Sequence, residues 1–189
     1  MNGAIRLNVS VIVLVAAAVL HAQKPVIESP LRTSPIRPPA TAPEMVASAD
    51  AVIVAQWTGQ ARAGERTSPD GLLLPTRTFY TFRVEEVIKN HPSLPPLGQE
   101  IEFWLPGGDR ELPTRIERVR DPKTGDLRPS GRYVLFADHS VRTGELYLAW
   151  GPLGVYEITN GRVAALRLDW PRHDGKDAGA FLREIRPSN

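Results

Sequence analysis

Thr76 to Lys89 read TRTFYTFRVEEVIK, and the fold turns on how this stretch is read. Tyr80, Phe82 and Val84 alternate with Thr81, Arg83 and Glu85, which gives a strand one apolar face and one polar face. The alternation fails at Glu85-Glu86 and resumes out of phase at Val87-Ile88. One extra residue in a strand is a bulge, which bends and coils it. A long strand bent at its middle can serve two sides of a small barrel. The stretch therefore predicts a compact all-β module.

Outward from it, the flanking segments read mostly as strands. Ala51–Trp57 (AVIVAQW) is a short continuous apolar run, suited to a strand buried on both faces. Gln60–Leu74 reads as a loop, with a turn at Ser68-Pro69-Asp70-Gly71. In Glu100–Leu105 the side chains of Ile101, Phe103 and Leu105 face inward, with Glu102 and Trp104 opposite. Pro106-Gly107-Gly108-Asp109 ends that strand, Leu112–Val119 is a further strand, and Asp121–Gly131 is turn-rich and expected to be mobile. Arg132–Ala137 (RYVLFA) is a strand. Thr143-Gly144 joins Ser140–Arg142 to Leu146–Trp150, and Asn160-Gly161 joins Val155–Thr159 to Arg162–Leu168 as hairpins. Two short helices frame the strands. One spans 43–49 with Thr41 as N-cap; the other spans 174–185 and turns Ala178, Phe181, Leu182 and Ile185 to one side.

The ends are of a different character. Arg6 followed by the apolar run Val9–Leu20 and the small residue Ala22 reads as a secretory leader, cleaved after Ala22. The run is shorter than the ~20 residues a spanning helix needs, so no membrane span is expected after cleavage. Residues 23–43 hold six prolines in 21 positions and read as a disordered linker. The organisation is then 1–22 leader, 23–43 linker, 44–170 β-domain and 171–189 C-terminal helix and tail. A secreted or periplasmic protein is implied. Export would permit disulfides, but the chain has no cysteine, so a hydrophobic core alone must hold it.

Charge excludes one class of partner. Without residues 1–22 the chain has 22 Lys plus Arg against 21 acids, because only Arg6 is lost. A net charge of +1 in a mixed pattern gives no field for nucleic acid, despite a pI of 9.1. Even the Arg-rich window 109–121 balances Arg110, Arg115, Arg118 and Arg120 against Asp109, Glu111, Glu117 and Asp121. It reads as a salt-bridged face.

Segment order and spacing carry a family resemblance. Ala49-Asp50 precedes Val52 and Val54; Phe82-x-Val84-x-x-Val87-x-Lys89, Gly98-x-x-Ile101 and Gly131-x-Tyr133-x-Leu135-Phe136 follow. This pattern, over about residues 47–140, resembles the netrin-like modules. They are OB-fold domains related to the N-terminal half of the tissue inhibitors of metalloproteinases, and bacterial exported proteins carry similar ones. The resemblance implies a small OB-type barrel. It carries over no inhibitory residue: those inhibitors bind the protease zinc through an N-terminal cysteine, and here Gln23 would stand first.

No chemistry-bearing motif stands out. His91, His139 and His173 lack metal-ligand spacing, so neither metal nor other cofactor is expected. There is no Gly-x-Ser-x-Gly and no cysteine nucleophile; Ser68, Ser93, Ser130 and Ser140 sit in turns, and no motif places a nucleophile beside a base. Glu85-Glu86 reads as a solvated bulge before it reads as a pair of acids. No catalytic residue is assigned. The tryptophans Trp57, Trp104, Trp150 and Trp170 each lie at or near a strand end; those that suggest a binding surface are Trp104, Trp57 and Trp150, with Gly107-Gly108, whose open amides let a ligand approach. Trp104 is the foremost, being out of phase with its strand's apolar face. The expected function is a non-enzymatic exported binding module for an exported protein or an envelope polymer. The alternatives are a hydrolase with an unrecognised constellation, or an inhibitor of an exported protease.

Overall fold

A computed structural model of the chain describes residues 24–30, 37–64, 77–170 and 172–186. The leader, the Ser68–Gly71 turn and part of the linker lie outside the described residues. Along the chain run β1 (Val26–Pro30), α1 (Ala42–Ser48), β2 (Ala51–Gly64), β3 (Arg77–Lys89), β4 (Glu100–Pro106), β5 (Gly108–Glu111) and β6 (Ile116–Arg120). They are followed by β7 (Arg132–His139), β8 (Leu146–Leu148), a 3₁₀ turn (Gly151–Gly154), β9 (Val155–Thr159), β10 (Arg162–Ala165) and α2 (Ala178–Ile185). The all-β class with two short helices holds.

The main sheet has the order β10-β9-β7-β2-β3-β4, with β8 added to β7. The register of β2 on β3 shows the bulge directly. Ala55 faces Val84 while Val54 faces Glu86, so Glu85 has no opposite residue. A second slip, between Val52 and Ile53, sets aside Ile88. Val84 and Ile88 are four apart and would share a face of a regular strand. Instead Val84 is buried in one apolar cluster and Ile88 in the other.

Those two clusters lie on opposite faces of β2 and β7. On one face Val52, Val54, Val134 and Phe136 meet Met45 of α1 and Phe181, Leu182 and Ile185 of α2. On the other, Ile53, Trp57, Tyr133 and Leu135 pack with Phe82, Phe103, Leu105, Leu127 and Leu166. This double burial is why Ala51–Trp57 is continuously apolar.

The expected closed barrel is not formed. Among the described residues no ladder joins β4 to β8 or to β10. Cα atoms of β4 and β8 nevertheless come within 8 Å of each other, so the second cluster is enclosed by side chains across an unladdered seam. β8 pairs only three residues with β7, too short an edge to receive β4.

Four further expectations are corrected. The segment 23–43 is not wholly without structure: Val26–Pro30 pairs in parallel with β6, forming the sheet β1-β6-β5. Pro25 and Pro30 bracket the residues whose amides the ladder uses, which the count of prolines conceals. Gln60–Gly64 is strand rather than loop, because a slip between Trp57 and Ala61, at Gly59 with φ +86°, lets β2 resume pairing with Tyr80 and Phe79. Asp121–Gly131 is anchored. Asp121 and Arg167 are both buried and paired at 2.5 Å, and Leu127 enters the core. The C-terminal helix starts at Ala178, later than 174, because the Asp177 carboxylate accepts the Ala180 amide at 2.8 Å as its N-cap.

The turns and caps follow their residues. Asn160-Gly161 adopts φ of +50° and +72°, as a two-residue hairpin turn requires. Thr41 and Glu44 form a reciprocal capping box at α1. The Lys89 ammonium donates to the carbonyls of Val46, Ala47 and Ala49 at the other end of that helix.

Arg167 also donates to Asp169 at 2.5 Å, and Lys123 lies 3.0 Å from the same carboxylate. Arg167 first and Lys123 second hold the Asp169 carboxyl down at about 2. This is below the ordinary aspartate value of about 3.9, so its contribution to stability is full above that value and disappears as pH falls through about 2. In urea titrations from pH 5 to pH 2, Asp169→Asn should lose less stability over the acid limb than the parent chain. Parallel acid limbs would show that Asp169 gains nothing from its cations.

Candidate functional site

β2 and β3 run on beyond the bulge as a two-stranded arm, and β4 lies alongside. Their register aligns Arg62 with Phe79 and Phe79 with Trp104; Gly64 aligns with Arg77 and Arg77 with Pro106. Period-two alternation puts all of these on the arm's outer face, with Thr78, Tyr80 and Phe82 inward. The opposite wall is the β7–β8 turn. Between them lies a groove of about 760 Å³, lined on the arm by Arg62, Phe79 and Trp104 and on the turn by Ser140, Thr143 and Tyr147. Its volume is in the range of small-molecule and oligomer sites.

Charge in the groove is organised around aromatic rings. The Arg77 guanidinium lies 3.9 Å from the Trp104 ring centre, and that of Arg62 lies 4.1 Å from the Phe79 ring centre. Arg62 also donates two hydrogen bonds to Glu102, at 2.8 and 2.6 Å. Arg62 holds the Glu102 carboxyl below the usual carboxylate range. Gly64 is placed where a Cβ would run into the Phe79 ring. Tyr147 on the far wall has its phenol pushed up by burial, then by the charges of Asp138 and Asp50.

Close in sequence to the lining residues Ser93 and Ser140, the rings of His91 and His139 meet at a tilt of 34° with centres 4.6 Å apart. The Ser93 amide donates to His91 Nδ1 at 3.2 Å, and the His139 amide donates to Asp50 at 2.7 Å. Asp138 has its carboxyl raised by burial. The pairing of loops 91–98 and 139–147 through these rings is not visible in sequence, where the histidines are far apart. Among the described residues no group of three or more His, Cys, Asp or Glu is placed to hold a metal ion.

The residues singled out from the sequence are not brought together. Trp104 is half-buried in the groove. Trp57 is in the core: its indole donates to the Gln60 carbonyl at 2.9 Å and meets Tyr80 edge-on at 5.6 Å. Trp150 packs beside Phe136 against the opposite cluster, with φ +57°. Trp170 lies under Arg172 and Arg37, 4.7 and 5.4 Å from its ring centre. Gly107 and Gly108 have positive φ and serve a strand exit. A Cβ at Gly107 would stand 2.7 Å from the Val119 carbonyl oxygen, and the Gly107 carbonyl accepts from Thr78 at 2.8 Å.

Phe79, Tyr147 and Arg62 were not singled out. For Phe79 the signal was present, since a strand that turns Tyr80 and Phe82 inward turns Phe79 outward with Trp104. For Arg62 it was hidden by the slip at Gly59. No protein-family profile matches the chain, and comparison with curated proteins finds no match.

Gly107→Ala is expected to cost about 1–3 kcal/mol, because φ +106° and the Val119 carbonyl both oppose a side chain. Urea unfolding measures this. Unchanged stability would mean the strand exit has another conformation.

Proposed function

We propose that this chain is an exported, non-catalytic binding module and that the groove between the β2–β3–β4 arm and the β7–β8 turn receives its ligand. The partner is an exported protein or an envelope polymer. Residues 1–22 direct export and are removed after Ala22. Kinship with the netrin-like modules belongs to the same proposal, and the bulge-bent β3 between apolar β2 and β4 is what supports it.

The observation that carries the reading is the pair of arginine-backed rings, Phe79 and Trp104, aligned across adjacent strands and facing Tyr147. Rings fixed in this way offer contact area at small entropic cost, as interface anchors do. The rival reading as a hydrolase draws on Ser93 and Ser140 beside the histidine pair. The hydrogen bonds favour a structural role for them: His91 Nδ1 accepts from a backbone amide, and Ser140 Oγ accepts from the Thr143 amide at 3.2 Å. A nucleophile instead needs its hydroxyl directed at the base.

Immobilised chain without residues 1–22 should capture a reproducible molecule from its own envelope extract. Trp104→Ala should weaken that capture at least tenfold while lowering thermal stability by only a few degrees, equivalent to about 1 kcal/mol. Equal capture by the variant, or turnover of a chromogenic ester that Ser140→Ala abolishes, would contradict the proposal.

A further inference from the structure

Building on the binding reading above, we infer that the groove takes a neutral oligosaccharide.

Charge decides against ionic ligands. The ionisable groups lining the groove, apart from the Tyr147 phenol, are Arg62, Arg77, Glu102 and Glu145, so formal charge sums to zero. Arg62 is already matched to Glu102 by two hydrogen bonds, and Arg77 lies on the Trp104 ring. A polyanion would meet Glu102 and Glu145, and a polycation would meet the two guanidiniums. Neither gains the one-sign field that selects charged chains.

Geometry decides against an extended peptide added to the sheet. Among the described residues no strand pairs the outer edge of β4, and such an edge is the usual receiver of an added strand. Insertion between β4 and β8 would need the two strands about 9.6 Å apart, twice the ladder spacing. They approach within 8 Å.

The remaining chemistry matches a chain of hydroxyls and C–H faces. Phe79, Trp104 and Tyr147 present ring surface, and the negative face of a ring attracts the weakly positive C–H bonds of a pyranose. Ser93, Ser140 and Thr143 add hydroxyls, which donate and accept and so suit a partner that does both. Glu102, fixed by Arg62, is a rigid acceptor beside the rings. The arm thus supplies two rings and the Glu102 acceptor, and the far wall supplies the Tyr147 ring and the hydroxyls of Ser140 and Thr143.

The test is titration of the folded chain with cellohexaose, maltohexaose and chitohexaose, with a hexagalacturonate and an uncharged Ser/Val decapeptide as comparison. Indole fluorescence and calorimetry are the readouts. At least one neutral hexasaccharide should bind saturably, with an affinity unchanged between low and 0.5 M salt within about twofold, as expected when no ion pair is formed. Trp104→Ala and Tyr147→Ala should each weaken it tenfold or more, and Ser140→Ala several-fold. Binding confined to the decapeptide or the hexagalacturonate, and lost in Trp104→Ala, would overturn this inference and leave the binding-module reading standing. No binding of any probe, with empty capture from envelope extract, would overturn both.

Discussion

Glu85 on β3, which has no β2 residue opposite it, is the constraint on which the rest of the structure depends. By setting one residue aside, the strand changes which side of the sheet its apolar groups meet. Phe82 and Val84 fill the cluster enclosed by β4 and β8, while Ile88 fills the cluster under the helices. One ribbon therefore contributes to two cores. The coil it imparts brings β4 toward β8 without giving them a shared ladder. The groove lies at that incomplete closure, where the arm's outer face and the β7–β8 turn look at each other.

A chain without cysteine must tie its ends by other means, and it does so locally. The first helix is capped at one end by Thr41 and at the other by Lys89 from the end of the bent strand. The turn-rich segment after β6 is pinned by the buried Asp121–Arg167 pair, whose Arg167 also reaches Asp169. Breaking such a pair from one side leaves a buried charge alone, which is costly, although the intact pair adds little over a well-packed apolar contact. Its role is to fix where Leu127 and Leu166 enter the second core. The β1-β6-β5 sheet is tied in register by Glu28–Arg118 and Asp109–Arg118, so the arginine-rich window is a salt-bridged surface.

Side-chain periodicity made the class legible. The break at Glu85-Glu86, the double-sided run of β2 and the Asn160-Gly161 turn all emerge from residue order alone. What stayed hidden was set by partners distant in sequence. Val26–Ser29 look like linker until β6 offers its edge, and Asp121 looks like a turn residue until Arg167 arrives. Closure of a barrel is likewise a property of two edges, and the three-residue β8 is too brief to announce that it will not receive β4. The site was half legible. Trp104 was marked by its phase, but Trp57 and Trp150 share only its residue type, and each is absorbed by a different core. Phe79 carries as clear a phase as Trp104. The histidine contact that joins the two loops has no local signature.

The account stands on the register across β2 and β3, and nuclear Overhauser contacts between backbone protons measure it most directly. The chain should show cross-strand contacts pairing Ala55 with Val84 and Val54 with Glu86, and none placing Glu85 opposite a β2 residue. An uninterrupted one-to-one series through Glu85 would contradict it: Val84 and Ile88 would then face the same way, and the two-core sheet with its groove would have no cause.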